Sequence, residues 1–182
     1  MLMKKYNNFE IERMLKTMVI IYDTREQQNS ALKKRLEGFS SPSVRRKLNF
    51  GDYSVGYVNE ENNLVFCDDL IAIERKMSID ELANCFTKGR ARFEREFLRA
   101  KESGAKIHLL IEGASYEKIL NHKYRSQLTP NALIGSYLAW AERYNIQLHF
   151  CRVDTTPILI EKLLKYWLKA YLENLKEGKE NG

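Results

Sequence analysis

The sequence predicts an α/β sandwich in which helices flank a mixed central sheet. Three observations lead there. Short apolar runs rich in β-branched residues alternate with longer segments of helical period along most of the 182 residues. The early strands follow one another through a turn signal, which favours antiparallel pairing. The later strands are separated by helices, which favours parallel neighbours.

Each element has a local cause. Residues 18–23 form a β-branched run and read as a buried strand. Residues 29–37 are helical, with Gly38 as the stop. Residues 50–58 alternate like a half-exposed strand, and Asn62-Asn63 marks a turn. Residues 64–76 supply further strand. Ser78, with Glu81 three residues on, is a capping-box signature for a helix to about Thr87. Gly89 separates that helix from the next, over 90–103. Residues 107–112 are another apolar strand. Thr129-Pro130 opens a long helix to Tyr144, with Pro at the tolerated first position. Residues 146–153 are a strand and 157–172 an amphipathic helix. Residues 1–17 are either a short helix, with Phe9, Ile11, Met14 and Leu15 apolar, or a loose arm. Residues 18–176 read as one domain, and 177–182 as a frayed polar tail.

Composition narrows the class. Hydrophobic content of 44% and charged content of 30% fit a folded domain rather than a disordered chain. Thirty basic against 24 acidic residues give a net charge of +6, which suits a polyanionic partner. The three cysteines, Cys67, Cys85 and Cys151, are widely spaced and suggest neither a zinc site nor a disulfide framework. No signal peptide is evident and no apolar run is long enough to span a bilayer. No membrane association is expected. The expected location is the cytoplasm, or the nucleus in a eukaryote.

The chemistry is written at strand ends. In a strand, alternate side chains share a face, so Glu74 and Lys76 lie on one side with Ala72, and Ile71, Ile73 and Arg75 on the other. If the preceding strand pairs with this one, Asp52 meets Glu74 across the ladder. Two close carboxylates repel, and a hard divalent cation resolves the conflict. Mg²⁺ takes oxygen ligands and keeps waters, and a metal-bound water is a nucleophile for phosphodiester cleavage. Lys76 is placed to orient that water or to steady the phosphorus centre. Asp23 and Glu26 either complete the site or hold a second cation. Asp80 either binds metal-bound water or fixes Arg75 or Lys76. Arg90, Arg92, Arg95, Arg99 and Lys101 make a basic helix suited to phosphate. Glu94, Glu96 and Glu102 leave open an ordinary solvated face there.

Gly51-Asp52, then Glu74-Arg75-Lys76, three residues, and Asp80 resemble the signature of the XPF/Hef nuclease domain. That family is a branch of the restriction-endonuclease-like, or PD-(D/E)XK, superfamily. Asp23-Thr24-Arg25-Glu26 and Gly89-Arg90 match its flanking motifs, and Glu94 replaces a family Gln. The resemblance covers about 18–172. It implies a three-layer α/β/α fold with a mixed central sheet, and an endonuclease dependent on Mg²⁺ or Mn²⁺ acting on branched or flap DNA in repair or recombination. Asp52, Glu74 and the backbone carbonyl of Arg75 would bind metal. Asp23, Glu26, Lys76 and Asp80 would join the active site, and Arg25 and Arg90 would support it or touch DNA. It also implies a homodimer, and Trp140 and Trp167 are candidates for either core or interface. The family's tandem helix-hairpin-helix module is not expected after the last helix, which leaves branch selectivity to a recruiting partner protein. The competing expectations are a Holliday-junction resolvase or less selective nuclease of the same superfamily, and a non-catalytic DNA-binding subunit.

Overall fold

The computed structural model describes residues 6–177. The elements are α1 (Asn8–Lys16), β1 (Val19–Asp23), α2 (Ser30–Glu37), β2 (Ser43–Arg46), β3 (Tyr53–Val58), β4 (Leu64–Phe66), β5 (Ile71–Lys76), α3 (Ile79–Phe86), α4 (Arg90–Glu102), β6 (Lys106–Glu112), α5 (Tyr116–Leu120), α6 (Pro130–Tyr144), β7 (Ile146–Cys151) and α7 (Thr156–Glu177). A 3-10 turn, Val153–Thr155, precedes α7.

One mixed seven-stranded sheet runs β2-β1-β3-β5-β6-β7, with β4 added beside β3. The β1–β3, β3–β4 and β3–β5 pairs are antiparallel, and the β5–β6 and β6–β7 pairs are parallel, each parallel step crossing through helices. A core lies on each face. Ala72, Ile107, Leu109, Ile111 and Ile146 pack against α3, α4, α5 and α6 on one side. Tyr53, Val55, Ile71, Ile73 and Leu110 pack against α1 and α7 on the other. This is the expected α/β/α layering.

Local chemistry fixes the helix starts. The side chains of Asn7, Asn29, Ser78, Ser115 and Thr129 each accept from a backbone N–H of the first turn. The expected box at Ser78 is displaced by one residue: Glu81 N–H donates to the Ser78 hydroxyl, but the Glu81 carboxylate accepts from Met77 N–H.

Several boundaries differ from the sequence reading. Residues 64–76 are two strands, because 67–70 turn back on themselves, with Leu70 N–H donating to Cys67 O at 2.9 Å. β3 begins only at Tyr53 and is buried on both faces rather than half-exposed, since helices cover both sides of the sheet. β7 stops at Cys151. The last helix continues to Glu177, so the expected tail begins inside it, and 178–182 lie outside the described residues. The first segment is helix α1, with Ile11, Met14 and Leu15 buried and Phe9 77% exposed. Strand β2 and helix α5 were not expected. Among the described residues no helix is long and apolar enough to cross a membrane, and all three cysteines are free thiols.

Trp140 resolves the choice between core and interface. It is 2% exposed and ringed by Phe86, Phe93, Phe97 and Tyr144 at centroid distances of 5.0, 5.5, 6.0 and 5.5 Å. These contacts hold α3, α4 and α6 together as one layer. Trp140→Ala is expected to cost about 3–5 kcal/mol in urea unfolding; a cost below about 1 kcal/mol would show that the ring is not a core element.

Candidate active site

The site is set by the meeting of β3 and β5. Tyr53 pairs with Ile73 in antiparallel register, which puts Asp52 opposite Glu74. Asp52 N–H donates to Ile73 O at 2.8 Å, and Asp52 Oδ2 accepts from Arg75 N–H at 2.8 Å. The carboxylate of Asp52 is therefore clamped to the backbone of the strand that carries Glu74 and Lys76. Gly51 makes this turn possible. Its φ is +70°, and a Cβ there would stand 2.7 Å from Ala72 Cβ. Small Ala72 is the floor against which that turn closes.

Glu74 is 6% exposed and forms an ion pair with Lys76 Nζ two residues along the same face. The ammonium also lies 4.9 Å from the centre of the Phe93 ring. From α4, Glu96 Oε1 accepts from Gly51 N–H at 2.8 Å and so braces the turn that presents Asp52. Asp52, Glu74, Lys76 and Glu96 line a polar cleft of about 390 Å³, with Arg25, Glu26 and Arg92 on its walls.

Burial dominates the electrostatics. It pushes the Asp52 carboxyl up to about 6, and the nearby Glu26 carboxylate adds to the rise against the opposing Arg75 N–H bond. Burial, then repulsion from Asp52, raises Glu74 as well, only partly countered by Lys76. Burial alone would favour a neutral Lys76 amine, but the Glu74 carboxylate outweighs it and raises its pKa, so the ammonium is retained. The pair of carboxylates is thus strained in its ionised form.

A buried charge network supports the strand ends from behind. Glu26 Oε2 accepts from Arg35 Nη1 at 3.1 Å and from Tyr53 OH at 3.0 Å, and lies 3.8 Å from Arg75 Nη2. Arg75 Nη1 reaches Glu112 at the end of β6, at 3.0 Å. Three cationic or hydroxyl groups therefore already occupy Glu26, although it lines the cleft.

The structure brings Asp52, Glu74, Arg75, Lys76, Glu26, Arg25 and Arg92 together around the cleft, and separates Asp23, Asp80 and Arg90 from it. Asp23 is 1% exposed and is saturated by Arg25 Nε at 2.7 Å, Arg25 N–H at 2.6 Å and Leu48 N–H at 2.7 Å. Against the opposing effect of burial, the Arg25 bonds hold its pKa below the usual carboxylate value. Asp23 thus anchors Arg25 rather than facing the cleft. Asp80 caps the loop after α5, accepting from Arg125 N–H and Ser126 N–H at 2.8 Å each. Arg90 turns to the other side of α4, with its guanidinium 5.8 Å from the centre of the Trp140 ring.

Sequence reasoning missed Arg35, Tyr53, Glu96 and Glu112. Two of them carried a signal. Glu96 interrupts the buried stripe Phe93, Phe97, Ala100 at helical spacing, where a charge needs a partner. Glu112 ends a buried strand, as Asp23 and Glu74 do.

Among the described residues, no group of three or more His, Cys, Asp or Glu side chains converges as a metal cage. The carboxylates that face each other across the strand pair in the cleft, and so could share a cation, are Asp52 and Glu74, each with one oxygen already hydrogen-bonded, to Arg75 N–H and to Lys76 Nζ.

The model of the family described as "ERCC4 domain" matches residues 22–161, most of the chain, and the chain belongs to that family. Its fold is that of the XPF nuclease domain. It is similar to XPF from Aeropyrum pernix, with a TM-score of 0.58 and 21% identity over 82% of this chain and 61% of that one. The same protein in complex with DNA gives a TM-score of 0.60 and 22% identity over 84% and 66%. The chain therefore spans less than two thirds of the length of those chains. No curated protein sequence matches it.

The raised Asp52 pKa predicts a stability cost with a definite pH window. Below the ordinary value of 3.8 the group is protonated whether folded or unfolded, and the cost is absent. It grows as pH rises towards about 6 and stays constant above. Asp52→Asn keeps an acceptor for Arg75 N–H, so with chelator present it is expected to stabilise the protein by on the order of 2–3 kcal/mol at pH 8 and by almost nothing near pH 3.5. Thermal unfolding across that pH range checks this; equal effects at both ends would contradict it.

Proposed function

We propose that this chain is a metal-dependent DNA endonuclease that hydrolyses phosphodiester bonds in branched or flap DNA. The observation that carries this reading is the cross-strand pair Asp52 and Glu74, buried, mutually repelling and flanked by the Lys76 ammonium in an open polar cleft. Membership of the ERCC4 domain family and likeness to an XPF chain solved with DNA support it.

The donor set fits a hard cation. Asp52 and Glu74, with the carbonyl of Arg75, would hold Mg²⁺ or Mn²⁺, which accepts few protein oxygens and completes its shell with water. Bound there, the ion supplies an activated water and neutralises charge on the phosphate. The chain's own contributions are separable from that chemistry. Gly51, braced by Glu96, holds Asp52 in place. Lys76 keeps its proton at Nζ and can donate to a phosphate oxygen as negative charge builds. Arg25, anchored by Asp23, and Arg92 present cationic walls to the DNA.

The same reading extends to a homodimer. α7 exposes Tyr166 at 66%, and Leu159, Leu163 and Trp167 line an apolar groove with it. That apolar groove favours self-association over a bare solvated face. Sedimentation at micromolar concentration is expected to give twice the chain mass, and Tyr166→Glu to give the monomer. A wild-type monomer would contradict this extension.

Cleavage of labelled flap, fork, four-way-junction and duplex DNA tests the main proposal. Flap or fork cutting is expected with Mg²⁺ or Mn²⁺. Asp52→Asn and Glu74→Gln are expected to abolish it, and Lys76→Met to slow it about 10²–10³-fold. Paired symmetric nicks confined to four-way junctions would indicate a resolvase. Tight DNA binding with no cutting would indicate a non-catalytic subunit.

A further inference from the structure

We propose that Arg92, Arg95 and Arg99 of α4, continued by Lys47 in the loop before Gly51, form a track for the sugar-phosphate backbone of the DNA strand leaving the cleft. This rests on the nuclease reading above and adds to it a path for the strand. The three arginines stand at helical spacing of three and four residues and share one face. All three are exposed. Arg92 lies on the cleft wall, and Arg99 Nη2 donates to Asn49 O at 3.4 Å, so the row runs from the cleft to the loop that carries Lys47. Along the helix axis it covers about 10 Å. At roughly 3.4 Å of rise per nucleotide in one strand, that length spans about three phosphates.

The charge is uncompensated along this row. Several other arginines meet carboxylates, as Arg46 meets Asp68 at 3.2 Å, Arg143 meets Glu94 at 3.5 Å and Arg152 meets Asp154 at 2.6 Å, while Arg45 and Arg90 are engaged by Thr24 O and by the Trp140 ring instead. Arg92, Arg95, Arg99 and Lys47 form no ion pair among the described residues, although acidic residues stand nearby. Glu94 is turned to α6, where it accepts from Tyr144 OH at 2.8 Å. Glu96 is turned inward to Gly51 N–H. Asp69 accepts from Asn49 Nδ2 at 3.0 Å. Glu102 is exposed one turn beyond Arg99 and pairs with none of them. A row of guanidinium groups without carboxylate partners that starts at a phosphodiesterase cleft is complementary to successive phosphates. Arg90 faces the opposite side of α4 and does not belong to the track.

Fluorescence anisotropy on a labelled flap DNA, with chelator present and KCl varied, tests the track. The triple variant Lys47→Ala, Arg95→Ala, Arg99→Ala changes only exposed side chains. Its slope of log K against log salt is expected to be shallower than wild type by about 2–3, with affinity about 10–100-fold weaker at low salt. Arg143→Ala, whose partner is Glu94, serves as the control and is expected to match wild type. A triple variant with the wild-type slope and affinity overturns the track. If cutting is still lost in Asp52→Asn, the nuclease reading survives that result. A wild-type protein that neither binds nor cuts DNA overturns both.

Discussion

Two carboxylates held face to face across a strand pair set the terms for the rest of this molecule. The Tyr53–Ile73 register leaves Asp52 and Glu74 no other relation, and the cores on both faces of the sheet fix that register. A one-residue slip would turn every side chain of β5 to the opposite layer. It would bring Arg75 among Phe93 and Phe97 and drive Glu74 towards Ile160 and Leu164, so hydrophobic burial defends a polar site. The repulsion is a local cost that the fold sustains elsewhere, through the aromatic layer around Trp140 and the aliphatic contacts of α7.

Around that pair the charges divide into two kinds. Some are consumed by structure: Asp23 by Arg25 and Leu48, Glu26 by Arg35 and Tyr53, Glu112 by Arg75, and Asp80 by the loop after α5. Removing one partner from such a buried set strands the other, which makes the arrangement rigid. Others are left facing the cleft without full compensation, and these are the groups to which the proposed function assigns the chemistry. The distinction explains how six acidic or basic candidates can lie close in sequence motifs while only Asp52, Glu74 and Lys76 form the polar centre. Stiff supports hold a strained pair, and under the proposed function a divalent cation would relieve that strain.

Much of this was legible in the sequence because it follows from periodicity. The two-residue repeat put Glu74 and Lys76 on one face, and the antiparallel reading of β3 and β5 put Asp52 opposite Glu74. Thr129-Pro130 and Ser78 marked helix starts correctly, because capping chemistry is local. What escaped depends on contacts distant along the chain. β2, with the sequence Ser43-Val44-Arg45-Arg46, has no apolar alternation, and becomes a strand because β1 offers it a parallel edge. Asp23 accepts from Arg25 two residues on and from Leu48 25 residues away, and Asp80 from residues 45–46 away, so their motif positions suggested cleft duty that the hydrogen bonds do not show. Glu96 enters the sequence reading only as one of three acids that leave a solvated face open, although its place in an apolar stripe already argues for a partner.

Titration of Mn²⁺ into the protein by calorimetry, repeated in buffers of different ionisation enthalpy, tests the central claim most directly. Burial raises the pKa of both carboxyls, so cation binding at pH 6–7 should release protons and the observed heat should change with the buffer. The account predicts saturable binding with that proton release, lost in Asp52→Asn and in Glu74→Gln. Absence of binding, or binding undiminished by either substitution, would contradict it.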